Sequence, residues 1–420
     1  MSGPEDNGDD GEDAPLLTSP KGGVPPVTDT PTELEEVVTR FAAGTGPVAI
    51  DAERASGFRY GQTTYLAQFK REGAGIALVD TAALPDLGAL SRAIEEAEWV
   101  LHAANQDLPG LRDLNLVPTR IFDTELAARL LGWPKVGLAS VVERELGFAL
   151  AKEHSAQDWS ERPIPQEWLN YAALDVELLL DLRARLGRHL EAADKAEWAR
   201  QEFEAVRLAP PPPPRPDPWR HTSGTHTVKD RRGLAIVRDL WNTRDAVARA
   251  KNTAPGRILR DAAIVAAARA KPTSLSALLE VPEWKSKGTK RRAGQWYVAV
   301  ERAMALPDSK LPPKRGPGGD GPPPPRLWAD KDPEAKRRLD AGRAVVGLLV
   351  DRHAIPAENI LQPDALKRLC WEYRGGGEAA VRGFLEGRGA RPWQVGLTAE
   401  RLADAFADAE KEEEKGAGGP

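Results

Sequence analysis

A chain of 420 residues, 41% apolar and 29% charged, is too long for one core of ordinary size and has the balance of a water-soluble globular protein of two to four domains. No run of eighteen or more apolar residues occurs, which excludes a helical membrane span, and the single cysteine, Cys370, excludes an internal disulfide or a cysteine-based zinc site. The six histidines show no H-x3-H or HExxH spacing, so chemistry is left to carboxylates, hydroxyls and amides, while the formal net charge of −5 conceals opposite balances in different blocks.

Residues 1–29 read as an acidic, disordered tail, without the basic and apolar regions of a secretory signal, and the cytoplasm is the expected location. Two Pro/Gly-rich segments, 208–227 and 309–326, favour extended chain and read as linkers. They leave blocks at 30–207, 228–308 and 327–409, with a second acidic tail at 410–420. Residues 31–205 carry 18 Lys and Arg against 29 Asp and Glu; residues 228–310 carry 18 against 8; residues 327–409 balance at 13 and 13. An acidic block that could hold cations is thus followed by a basic one that could hold a polyanion.

In the first block, Thr32 to Ala43 is predicted helical, opened by a capping box of Thr32 and Glu35. The apolar run 47–53 is predicted to be a strand, with further strands at 62–70 and 75–80 and a turn at Gly73. Residues 86–97 have helical periodicity, 99–104 read as a short buried strand, and 106–114 as a helix with Asn105 at its N-cap. A short strand at 121–122 leads through Asp123 into a helix at 124–131. Helices follow at 137–146 and, as one long element, from Gln166 to His189. A meander followed by strand–helix alternation predicts an α/β domain with a mixed sheet. The second and third blocks lack strand alternation and read as small helical bundles: 234–241, 262–270 and a helix capped by Thr273 or Ser274, then 333–353, 364–373 and 377–387.

The strand Pro47-Val48-Ala49-Ile50-Asp51-Ala52-Glu53 delivers two carboxylates at i and i+2, which share a face. Acids aimed together from a buried strand repel and lose solvation, which a cation would relieve; the plain alternative is a strand end with solvated residues. Asp107 follows the buried strand at the start of a helix, where the macrodipole alone would favour it. Tyr171 and Asp175 stand at i and i+4 on one helical face.

In this order and spacing the residues resemble the three motifs of the DEDD exonuclease superfamily, in its tyrosine-bearing subgroup. The runs Phe122-Asp123-Thr124-Glu125-Leu126 and Asp158-Trp159-Ser160-Glu161-Arg162-Pro163 resemble the ribonuclease D branch. The second block, with Arg238-x2-Trp241 and Lys271-Pro272-Thr273-Ser274-Leu275, resembles the HRDC domain of that family. The resemblance covers about 45–310, and the third block sits where a second, HRDC-like bundle occurs. Ala52 departs from the threonine that many relatives carry; its side chain points away from the acids.

The resemblance implies a ribonuclease H-like fold and two-metal-ion hydrolysis, with Mg2+, or Mn2+ in its place, suited to an all-oxygen site. It implies that Asp51, Glu53, Asp107 and Asp175 are metal ligands and that Tyr171 orients the attacking water. Tyr65 and Gln68, on the neighbouring strand, could contact the terminal nucleotide, or be core and edge residues without function. His102, Trp159 and Arg162 are further substrate-side candidates, with a satisfied histidine and a core tryptophan as the plain readings. The run Lys285, Lys287, Lys290, Arg291 and Arg292 sits in the basic block and is the candidate for RNA phosphate contact. The function implied is a 3′–5′ exoribonuclease that releases nucleoside 5′-monophosphates and acts, as a monomer, on single-stranded 3′ ends of tRNA precursors and other stable RNAs. A 3′–5′ DNA exonuclease and an inert RNA-binding scaffold are the alternatives.

Overall fold

The structure, a computed structural model, describes residues 14–150, 154, 156–316 and 321–417, with side chains to residue 411. Two short strands, β1 (Leu16–Leu17) and β2 (Val27–Thr28), precede α1 (Pro31–Ala43). Next, β3 (Thr45–Arg54), β4 (Thr64–Glu72) and β5 (Gly75–Asp80) form an antiparallel meander. The chain continues through α2 (Gly88–Ala93), β6 (Glu98–Leu101), α3 (Leu108–Asp113), β7 (Arg120–Asp123) and α4 (Thr124–Leu130). The six-stranded sheet runs β2-β5-β4-β3-β6-β7, with β6 parallel to β3, β7 to β6 and β2 to β5. A tight turn through Gly73, at φ +79°, joins β4 to β5, a longer loop over 55–63 joins β3 to β4, and α3 crosses between the parallel strands β6 and β7. Because β3 lies inside the sheet, Val48, Ala49 and Ile50 are wholly inaccessible, which is why its sequence is a continuous apolar run.

Behind the sheet follow α5 (Leu138–Leu146), β8 (Ala149–Leu150), α6 (Gln166–Glu177), α7 (Leu179–Ala192) and α8 (Ala196–Leu208). The single helix expected over 166–189 is in fact two, parted at Leu178. The break leaves Leu178 and Leu179 both buried, so the apolar pattern gives no sign of it. The capping box of α1 is Thr30 with Glu33, two residues earlier than predicted, because Pro31 takes the first helical position, where its missing N–H is not needed. Of the tail expected to residue 29, residues 1–13 lie outside the described residues. The remainder is not a tail: β1 pairs with β8 and β2 with β5.

The second block comprises α9 (Arg231–Ala250), α10 (Pro255–Ile258), α11 (Asp261–Ala270), α12 (Leu275–Glu280), α13 (Lys287–Lys290) and α14 (Ala293–Met304) around its own core. Both linkers are shorter than expected. Residues 209–216 are an exposed extended segment, but Trp219 and Leu311 are buried in this core, and Arg231 donates to the Leu311 carbonyl at 2.7 Å. The third block holds α15 (Trp328–Lys331), α16 (Pro333–His353), α17 (Ala357–Ile360), α18 (Pro363–Glu372), α19 (Gly377–Gly387) and α20 (Pro392–Ala417). The acidic tail expected from residue 410 is therefore helical to Ala417, as the end of a helix not foreseen in the sequence.

The third block's core is continuous with that of the first. Trp393 stacks on Trp198 of the first block at 4.8 Å, and Lys195 Nζ donates to the carbonyls of Leu130 and His353 at 2.8 and 2.7 Å. The second block meets the first at the β3–β4 loop. Ala254 N donates to the Phe58 carbonyl at 2.9 Å, Tyr60 Oη to Asp245 Oδ1 at 3.0 Å, and Arg257 Nε to the Gly57 carbonyl at 2.9 Å.

Candidate active site

Regular alternation along β3 puts Asp51 and Glu53 on one face, and α6, packed across β3, β4 and β5, brings Asp175 over that face. One carboxylate oxygen from each of Asp51, Glu53 and Asp175 lies within 4.8 Å of the others. Glu53 is 8% exposed and its two partners half-buried. One turn before Asp175 on the same helix stands Tyr171, close enough for the Asp175 charge to raise its phenol pKa.

Asp107 stands just outside this trio. The strand expected over 99–104 ends at Leu101, and α3 starts at Leu108 rather than in the Asn105–Gln106 region. Asp107 is thereby the N-cap residue, yet its side chain makes no capping bond and is free to face the acids. Asp123 holds the loop that carries it, accepting from Ala103 N at 3.1 Å and Ala104 N at 2.8 Å while capping α4. Arg54 Nη2 lies 3.3 Å from Asp107 Oδ1.

Burial raises the carboxyl pKa of Asp51, and raises those of Glu53, Asp107 and Asp175 well above the ordinary range. For Glu53 the charges of Asp51, Asp175 and Asp107 add to the rise, and for Asp107 and Asp175 that of Asp51 does; Arg54 opposes it at Asp51, Glu53 and Asp107. Tyr171 is pushed up too, first by burial and then by the acids, and so stays a phenol. Carboxylates crowded in this way lack a compensating charge, and their all-oxygen donor set fits a hard divalent cation. Gln68 stands directly across the ladder from Asp51, fully buried, with neither amide atom bonded among the described residues.

Comparison with known proteins supplies the family. Residues 26–191 match the family model described as 3'-5' exonuclease, 233–300 the HRDC domain, and 321–406 the 3' to 5' exonuclease C-terminal domain. A ribonuclease D of Gluconacetobacter diazotrophicus is 31% identical over 320 residues, covering 74% of this chain and 80% of that one. The chain belongs to the ribonuclease D family. A crystal structure of a protein from Bifidobacterium adolescentis superposes with a TM-score of 0.84 at 39% identity, covering 94% of this chain and all of that one. That of Escherichia coli RNase D, at 24% identity, shares the fold with a TM-score of 0.66 over 91% of this chain and 98% of that one. As a member of this family the protein is a 3′–5′ exoribonuclease of the DEDD group, and divalent metal ions belong to its chemistry.

Within this ribonuclease D fold, the remaining candidates separate. Tyr65 is half-buried beside Trp159 and Ile164 in a small core under α6. His102 bonds through Nδ1 to Thr124 Oγ1 at 2.9 Å, and burial lowers its pKa to about 4, so it is a satisfied neutral histidine. Two candidates for the substrate groove are corrected. Trp159 is fully buried, 5.6 Å from Trp168 and 6.4 Å from Tyr171 between ring centroids; it shapes the wall behind Tyr171. Arg162 is committed to Asp80, with bonds of 2.5 and 2.6 Å, and to the carbonyls of Tyr65 and Trp159. Neither is available to RNA.

In the second block, Lys285, Lys287, Lys290 and Arg291 are exposed and Arg292 half-buried, and none of the five is ion-paired among the described residues. Arg54 and Asp123 are the two site residues that sequence reasoning did not assign a role. For Asp123 the signal was present, as an N-cap residue opening a helix after a strand. For Arg54 strict alternation pointed the wrong way.

Proposed function

We propose that the protein shortens RNA from the 3′ end, with Asp51, Glu53 and Asp175 holding one divalent ion, and Asp51 and Asp107 supporting a second. Mg2+ is the natural occupant of such an oxygen-only set, and Mn2+ a substitute. When bound, such ions supply electrostatic stabilisation of a phosphodiester in displacement and acidify water. The observation that carries the proposal is the convergence of three carboxylates from two separate elements to within 4.8 Å in a desolvated site.

Tyr171 is held as a phenol, so its part is to donate a hydrogen bond and fix the water and Asp175, not to take a proton. Asp123 keeps the Asp107 loop in place. The basic run of the HRDC bundle would contact phosphates upstream of the cleaved nucleotide. Beside it is a cavity of about 620 Å³ lined by Arg257, Arg260, Ser286 and Thr289. Nucleoside 5′-monophosphates as products, tRNA precursors and other stable RNAs as substrates, action as a monomer, and a cytoplasmic location complete the reading. No helix among the described residues is long and apolar enough to cross a membrane.

The test is incubation of the full chain with 5′-labelled single-stranded RNA and the matched DNA, in Mg2+, Mn2+ or chelator. A ladder of shortened RNA that forms only with metal is the expected result. Shortening in chelator would overturn the metal assignment, and a preference for DNA would overturn the RNA assignment.

A further inference from the structure

Arg54 enters the acid site through an irregularity in the ladder. Glu53 stands opposite Leu66, but the next residue of β3 stands opposite Thr64, so Tyr65 is skipped. A regular strand would send Arg54 to the face away from Glu53. The extra residue lies in β4 and leaves the ladder irregular where β3 ends, and from there the long Arg54 side chain reaches the acid site. There Nη2 reaches Asp107 Oδ1 at 3.3 Å and Nη1 donates to the Gln106 carbonyl. The Arg54 side chain is 23% exposed and that of Asp107 6%. Among the described residues, no other cation pairs with any of the four acids.

A carboxylate assigned to help hold a divalent ion is therefore already held by a cation of the chain itself. The guanidinium does not deprotonate, so the pair persists across the working pH range. It keeps Asp107 aimed at the other acids and offsets part of their repulsion. Arg54 also lines a cavity of about 330 Å³ with Glu53, Ser56, Phe58 and Gln62, which gives the guanidinium space to withdraw.

We propose that Arg54 is a resident counter-charge for Asp107 that competes with a divalent cation for this carboxylate and so sets the affinity of the weaker of the two ion sites. The inference rests on the carboxylates being the metal site, as proposed above. Arg54 is a positioning residue in this scheme: it acts on Asp107 and thereby on ion occupancy.

The test is Mn2+ binding to the full chain without RNA, by electron paramagnetic resonance of the free ion, at pH 8.5 to limit proton competition. Wild type, R54Q, R54K and D107N are compared. R54Q is expected to bind the weaker ion about threefold to tenfold more tightly, the range set by a partly exposed ion pair. The tighter ion should move less than about twofold, R54K should fall between wild type and R54Q, and D107N should lose the weaker site. In chelator R54Q should melt below wild type, and Mn2+ should restore it. If wild type binds two ions and R54Q and R54K match it or bind more weakly, the inference alone is overturned. If wild type binds no Mn2+, the carboxylate assignment falls and the inference with it. Should R54Q not fold, R54K decides by the same comparison.

Discussion

Asp175 carries two opposed demands, since it must be charged to hold a cation and yet is buried against Asp51 and Glu53. Without metal, each acid with a raised folded-state pKa stabilises the fold while protonated. That contribution is full below the unfolded values, 3.8 for Asp and 4.5 for Glu, and is lost as pH rises through the raised folded values. His102 acts in the opposite sense, since its pKa falls from 6.5 to about 4 on folding, so its burial weighs against the fold as pH drops through that window. Above about pH 6.5 the acids are left to dominate. In chelator, the melting temperature should therefore fall as pH is raised from about 6.5 to 8.5, and saturating Mg2+ should flatten the fall. Asp175→Asn keeps the shape but removes one charge. It should raise the chelator melting temperature at pH 8.5 by about 2–4 °C while cutting turnover by at least about 100-fold. Turnover near wild type, or a melting temperature in chelator that does not respond to pH, would contradict the assignment.

Asp123 shows how an element places a residue that it does not itself carry. Its Oδ1 accepts from Glu125 N at 2.9 Å and Leu126 N at 3.1 Å to cap α4, and its two oxygens also take the amides of Ala103 and Ala104. Asp123→Ala removes a cap and strands buried amides, at a cost of about 3–5 kcal/mol. Urea denaturation should show that loss, and turnover at a urea-free, fully folded temperature should fall as well, because the Asp107 loop is no longer anchored. A loss below about 1 kcal/mol would mean that the anchor is not needed. Most elements of this kind were legible. The β3 run was continuous because it is buried on both faces, and the two acids at its end kept the alternation. What was not legible depended on contacts beyond the strand or helix itself. The break at Leu178 leaves the leucine pattern intact, the cap of α1 moved because Pro31 fits the first helical position, and Arg54 reaches Asp107 from an irregular strand end. Trp159 and Arg162 sit near Tyr171 in sequence, but a wholly buried indole and a guanidinium committed to Asp80 have nothing left for a ligand.

At the scale of the molecule, the three blocks are joined unequally. The third shares a core with the first, and their contact is close: a Cβ on Gly132, at φ +76°, would lie 1.9 Å from the Ala354 carbonyl oxygen. The HRDC bundle keeps a separate core and is tied to the first block through the loop after Glu53 and Arg54. There Tyr60 Oη meets Asp245 at 3.0 Å, Arg249 Nη2 reaches that hydroxyl at 3.1 Å, and the Arg257 guanidinium lies 4.0 Å from the Phe58 ring centroid. On the proposed function, a basic bundle fastened beside the acid site would present an RNA strand to it, and the exposed segment 209–216 lets it move if that fastening is cut. The double variant Asp245→Ala, Arg257→Ala removes two of the side-chain ties, keeps those of Arg249 and Asn252 to Tyr60, and leaves both cores alone. Hydrogen exchange over residues 55–62 should rise. KM for long RNA should increase about fivefold to tenfold, with a flatter salt dependence because one phosphate-side arginine is gone. Turnover of an oligonucleotide too short to reach the bundle should stay as it was. Equal losses on long and short RNA would instead mean that these contacts act by shaping the β3–β4 loop around Glu53, and that the bundle does not guide the strand.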